Sequence, residues 1–193
     1  VEASPSPWAD DFVEVNRQQP VLRGGLIETG MCSVQDVAAG LVVRVLAPTP
    51  GVRVLAAAAA PGGNAIYAAQ RMGGEGEVVA LDVSETKARL VQQAADRQQA
   101  GIVRTVTHDL ITWDGDGPFD LVLLDAPCSG TGVLGKRADL RWRRRPEDLS
   151  ELADLQDRML NAAARHVRVG GELVYSTCSI EPEENDERVK HFL

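Results

Sequence analysis

Between residues 52 and 178 the sequence alternates short, almost wholly apolar runs with amphipathic stretches, and that order restricts the chain to a parallel sheet wrapped by helices. The runs VRVLAA, EVVALDV, VRTVTHD, FDLVLLDA and GELVYSTC have strand length. NAIYAAQRM, SETKARLVQQAADRQQA and PEDLSELADLQDRMLNAAARHV carry helical apolar spacing. VVALDV and LVLLDA contain hardly a polar residue, as strands do when both faces are covered. Upstream, SVQDVAAGLVVRVL predicts a first helix over about 34–46, with Ser33 as N-cap, Asp36 three residues on, and the breaker APTPG at its end. The Gly170-Gly171 pair is expected to close the long helix. The fold class is α/β, a doubly wound, mostly parallel sheet.

At 193 residues, 44% apolar and 25% charged, the chain can bury one full core. Residues 1–30, rich in Pro, Gly and polar residues, read as a lead-in or linker, and 31–193 as the functional domain. The start lacks Met and VKHFL stops inside an expected helix, so the domain reads as truncated at its C-terminus. No apolar stretch is long enough to span a bilayer, and VEASPSPWADD has no signal-peptide character. Cys32, Cys128 and Cys178 form no CxxC pair, which excludes a disulfide framework and a four-cysteine zinc site. The three His residues make no ligand pattern, so no metal is expected.

Ligands of such sheets bind outside the carboxyl ends of the strands. Reading each run to its end gives Ala60-Pro61-Gly62-Gly63, Asp82, Asp109, Asp125-Ala-Pro-Cys128 and Thr177-Cys178-Ser179. A Gly-Gly turn lets backbone N–H groups approach a ligand, although a tight strand-to-helix turn alone would also explain it. Asp82, 19 residues after Gly63, is placed to accept hydrogen bonds from ribose hydroxyls, and Asp109 to meet an exocyclic amine such as that of adenine. With no GxGxxG, no Walker lysine and no pyrophosphate pattern, an adenosyl ligand without phosphates is expected.

FDLVLLDAPCSGTGVLGKRADLRW and GGELVYSTCSIEPEENDERV, with VQDVAAGLVVRVL upstream, resemble the NOL1/NOP2/Sun family of RNA cytosine-C5 methyltransferases over about residues 30–193. In particular the chain is similar to bacterial and plastid-type members acting on 16S rRNA. The resemblance implies a Rossmann-like fold, S-adenosyl-L-methionine as cofactor and RNA, in particular rRNA or a ribosomal particle, as partner. It also implies that Cys178 is the nucleophile, that Cys128 assists release of the methylated product, that Asp125 holds the base, and that Asp82 and Asp109 hold the cofactor. The chemistry asks for such groups. Cytosine C5 is a poor nucleophile until a thiolate adds at C6, and the thiol leaves only after a base removes the C5 proton. The compartment that goes with this resemblance is the cytoplasm of a bacterium, or a plastid or other organelle of a eukaryote.

The family's cofactor motif reads D-x-C-A-A-P-G-G-K-T, whereas residues 56–65 here are AAAAAPGGNA, with Ala56, Ala58, Asn64 and Ala65 in place of Asp, Cys, Lys and Thr. Losing two or three hydrogen bonds to charged groups, at about 1.5–3 kcal/mol each, would weaken cofactor binding by orders of magnitude. This favours, as the alternative, a catalytically degenerate RNA-binding or ribosome-assembly factor. A methyltransferase acting on a small molecule or a protein is disfavoured by the two cysteines and by KRADLRWRRR. That stretch holds Lys136, Arg137, Arg141, Arg143, Arg144 and Arg145 for a net charge of +5 in a chain of −8. A solvated helix face is the plain explanation; Trp142 and the position after Cys128 favour contact with RNA phosphates and an extruded base. EPEENDERVK reads as a loop and a carboxylate-rich helix N-terminus.

Overall fold

A computed structural model describes residues 2–193. After a two-stranded hairpin, β1 (Ala3–Pro5) and β2 (Val13–Val15), come α1 (Gln18–Arg23), α2 (Val37–Leu46), β3 (Arg53–Ala57), α3 (Gly63–Arg71), β4 (Glu77–Asp82) and α4 (Glu85–Arg97). β5 (Val103–Thr107), β6 (Phe119–Asp125), α5 (Pro146–Arg165), β7 (Val167–Ser176) and α6 (Asp186–Phe192) follow. The main sheet has the order β5-β4-β3-β6-β7, and every pair in it is parallel. Chain order reverses between β3 and β6, so a crevice opens at their carboxyl ends.

Alternation along the strands sorts the core into two layers. Val54 and Ala56 of β3, Val78 and Ala80 of β4 and Leu123 of β6 pack with Val43 and Leu46 of α2, Ile66 and Tyr67 of α3 and Val91 of α4. Their neighbours Leu55, Ala57, Val79, Leu81, Val122 and Leu124 face Met159, Leu160 and Ala163 of α5, together with Trp113. A period of two with both faces apolar is the reason the sheet must be covered on each side.

Two expectations are corrected. The first helix begins at Val37, and its N-cap is Asp36, which accepts from Ala38 N–H at 3.1 Å; Ser33 lies four residues before the helix. The Gly170-Gly171 pair lies inside β7 and does not close α5, whose C-cap is His166. There Gly170 adopts φ +75 where the register with β6 shifts between Phe119 and Leu121, so the pair builds a bulge. Residues 2–30, read as a lead-in, hold secondary structure of their own, which leaves the domain limits as they were. Their strands are three residues long, too short to show a period, and they are fastened by Phe12, which meets the Tyr67 ring edge-on at 5.4 Å. A Cβ at Gly40 would lie 2.3 Å from Phe12 Cζ, so a side chain there would displace the Phe12 ring. Arg44 pairs with Asp10 and Asp11, and Tyr67 donates to Asp11 at 2.7 Å.

Candidate active site at the carboxyl edge of the sheet

The turn after β3 is shaped by backbone. Gly62 takes φ +106, a conformation open to glycine, and caps α3 without any side-chain bond, so the first turn of that helix keeps its N–H groups directed outward. Asp82, buried at the end of β4, supports the turn: one carboxylate oxygen accepts from Ala60 N–H at 3.3 Å, the other from Ser84 N–H at 3.0 Å. Each oxygen retains a lone pair. On the neighbouring strand mouth, His108 N–H donates to Asp82 O, and the exposed Asp109 folds its carboxylate back onto Ile111 N–H at 2.9 Å. Asp109 lies two residues beyond the end of β5, not at its last residue.

Of the departures from the family's motif, Ala56 and Ala65 are buried and belong to the apolar layer under α3, while Ala58 holds φ +54. Asn64 has a different fate. Its amide donates to Asp125 Oδ2 at 3.2 Å and accepts from Gln35 Nε2 at 3.0 Å, bridging the loop before α2 to the end of β6. In the sequence Asn64 reads only as a missing lysine. Ser176 donates to the second oxygen of Asp125 at 3.1 Å. Burial raises the Asp125 carboxyl above the usual range, with the Ser176 bond opposing.

The two cysteines meet. Cys128 Sγ lies 3.1 Å from Cys178 Sγ and also accepts from Cys178 N–H at 3.3 Å. The Cys128 thiol, donating to Cys178, brings the latter down to about 7 against burial and the Asp125 charge, while the same bond and burial push Cys128 up. Cys178 is exposed and Cys128 half-buried. At pH 7 the pair is therefore an accessible Cys178 about half in the thiolate form, beside one thiol that keeps its proton. Cys32 lies apart in the segment before α2 and joins neither.

The loops carrying these thiols are tied by groups that sequence reading missed. Glu184, fully buried, accepts from Ser129 N–H at 2.8 Å, from the Ser129 hydroxyl, and from Gln156 Nε2 at 3.0 Å. Gln156 also donates to Pro127 O at 2.9 Å. The signal was present as the third Glu of EPEEN, but a carboxylate-rich stretch looks alike whether it is solvated or buried.

The basic stretch is a short 3-10 helix, Ala138–Trp142, with loops on either side. Trp142 is 85% exposed. Lys136 pairs with Asp36, and Arg137 and Arg143 share Asp139, at 3.2 and 3.8 Å. Arg144 points inward: its guanidinium donates to Ser129 O and Cys128 O, both at 2.8 Å. Arg141 and Arg145 form no ion pair among the described residues. Among those residues no group of His, Cys, Asp or Glu is arranged to hold a metal, and no helix is long and apolar enough to cross a membrane.

Comparison with known proteins bears on the family and the fold. The ribosomal RNA small subunit methyltransferase B of Vibrio cholerae is 42% identical over 85% of this chain and 38% of its own length. That of Escherichia coli K12 is 39% identical over 97% of this chain and 44% of its own. The chain thus spans less than half the length of these relatives. Among solved structures, one described as NSun6 from Pyrococcus horikoshii with SFG superposes with a TM-score of 0.81 at 34% identity, over 86% of this chain and 43% of that one. A protein described as PH0851 gives 0.91 at 33% identity, over 99% and 44%. The sequence model of the 16S rRNA methyltransferase RsmB/F family matches residues 43–193, and the chain belongs to that family.

Proposed function

We propose that this chain is the catalytic domain of an S-adenosyl-L-methionine-dependent methyltransferase that modifies C5 of cytosine in 16S rRNA through a covalent adduct on Cys178. The observation that carries this reading is the thiol pair at 3.1 Å, beside a carboxyl at the switch point of the sheet. Cys178, ionised near neutral pH, adds its sulfur to C6, and Asp125 receives the N3/N4 edge of the base. Desolvation raises the Asp125 carboxyl, which favours a proton shared between it and N3 as the adduct forms. Cys128, protonated when Cys178 attacks, supports departure of the Cys178 thiolate: a solvent base takes the C5 proton, the C5–H electron pair re-forms the C5–C6 double bond, and the C6–S bond breaks. The cofactor supplies an electrophilic methyl group. The residues that would hold it are the Gly62-Gly63 turn with the uncapped start of α3, Asp82 and Asp109, and this backbone cradle with free acceptor capacity suits an adenosyl ligand.

Domain limits of 31–193 fit the same proposal, with the preceding segment clasped onto α2 and α3 through Asp10, Asp11 and Phe12. Arg141, Arg143 and Arg145, with Lys136 and Arg137, are the residues we assign to RNA phosphates. Arg144 is assigned to the loop of Cys128. The bacterial sources of the relatives favour a bacterial cytoplasm over an organelle. The degenerate, RNA-binding alternative draws on the alanine-rich turn alone, and the intact thiol pair speaks against it. The test is transfer of tritium-labelled methyl from the cofactor into cytosine C5 of a 16S rRNA transcript. Incorporation that disappears in Cys178→Ala supports the reading; incorporation at an unchanged level in that variant refutes it.

A further inference from the structure

We infer that Glu184 is a positioning residue that sets the spacing of the two active-site thiols by clamping their loops together. Its carboxylate is the most completely enclosed charge at this edge of the sheet, with no exposed surface. A carboxylate so placed is costly unless every bond it can accept is made. Here the bonds come from both sides: Ser129 N–H and hydroxyl from the loop that follows Cys128, and Gln156 from α5, which at the same time holds Pro127 O next to Cys128. The Ser129 hydroxyl lies 3.1 Å from that of Ser179, the residue after Cys178, and Tyr175 on β7 donates to Glu184 O at 2.8 Å. Burial pushes the Glu184 carboxyl up, but bonds from Ser129, Ser179 and Gln156 outweigh it and hold the group below the usual range. Glu184 is thus charged at neutral pH and touches neither sulfur.

Charge and reach predict opposite signs, which makes the clamp testable. The groups acting on Cys178 are Cys128, whose bond lowers it, Asp125 and Glu184, whose charges raise it, and Arg137, which stands in Coulomb contact with it. If Glu184 acted by charge alone, removing that charge would lower the Cys178 midpoint. If it acts as a clamp, a shorter side chain lets Cys128 drift, the thiol donor is lost, and the midpoint rises. Glu184→Asp keeps the charge and loses reach; Glu184→Gln keeps reach and loses the charge, since the Ser129 hydroxyl can accept from an amide.

The experiment is peptide-resolved alkylation of the folded chain with iodoacetamide across pH. It needs neither RNA nor cofactor, although the consequence for catalysis rests on the roles proposed above. The parent should show half-maximal alkylation of Cys178 near the value of about 7. Glu184→Asp should move this toward the ordinary thiol value of about 8.5, slowing alkylation at pH 7 about tenfold, while Glu184→Gln stays at or below the parent. An unchanged or lowered midpoint in folded Glu184→Asp overturns the inference. Should that variant fail to fold, Ser129→Ala, which severs the hydroxyl link alone, replaces it: a smaller rise supports the clamp and no rise overturns it. A parent that methylates no cytosine while the variants follow this pattern would sink the proposed function and leave the clamp standing.

Discussion

The two halves of the active edge are built by different means. Around β6 and β7 the site is a network of side chains: Asp125 between Asn64 and Ser176, Cys128 against Cys178, Ser129 on Glu184, Arg144 on two loop carbonyls. Around β3, β4 and β5 it is mostly backbone, with the Gly62 turn, the bare start of α3, and a single buried carboxylate on Asp82. Where side chains make the site, one substitution removes a function. Where backbone makes it, the side chains matter less, and Ala56, Ala58 and Ala65 leave the turn's backbone in place. The contrast explains how a chain can depart from its family's cofactor motif and still hold the arrangement of thiols.

Substitution in the side-chain half should have the largest effects. Cys178→Ala is expected to reduce methyl transfer more than about a thousandfold, since it deletes the atom proposed to attack, while its urea midpoint stays near the parent's. A surviving rate within tenfold would break the comparison at its root. Arg144→Ala frees the carbonyls of Cys128 and Ser129; with two charge-assisted bonds at about 1.5–3 kcal/mol each, kcat should fall about 10–100-fold with RNA affinity little changed. A loss of affinity at constant kcat would move Arg144 back among the RNA-binding residues.

In the backbone half, restoring the family's aspartate should harm this chain. Ala56→Asp puts a carboxyl into the apolar layer shared with Val54, Ile66 and Val78, at an expected cost of about 2–4 kcal/mol in urea unfolding. A neutral result would mean that the layer has a polar partner ready. The smallest effect is expected on the exposed basic surface. Joint replacement of Arg141, Arg143 and Arg145 by Ala should flatten the slope of log K against log salt by about 0.7 for each single-strand phosphate that is no longer neutralised. An unchanged slope would make these arginines a solvated face.

The same contrast separates what is legible in the sequence from what is not. Strand ends are legible because an apolar run ends abruptly at Asp82 and Asp125, and burial on both faces leaves no other reading of such runs. The cysteines are visible by type and place, although their roles come from resemblance. Gly170-Gly171 misleads because two glycines after a helix look the same whether they cap it or bulge the next strand, and only the register with β6 decides. Arg144 and Glu184 look like their charged neighbours. A charge in a run carries no mark of whether it faces water or a carbonyl; that is fixed by residues 15 to 55 positions away in the chain.

The division of labour between the thiols is tested most directly by trapping. Cys128→Ala, incubated with a 16S rRNA transcript and S-adenosyl-L-methionine, should accumulate a protein–RNA adduct that survives denaturing electrophoresis, and Cys128→Ala with Cys178→Ala should accumulate none. An adduct formed by Cys178→Ala, with none in Cys128→Ala, would contradict the account and exchange the two roles.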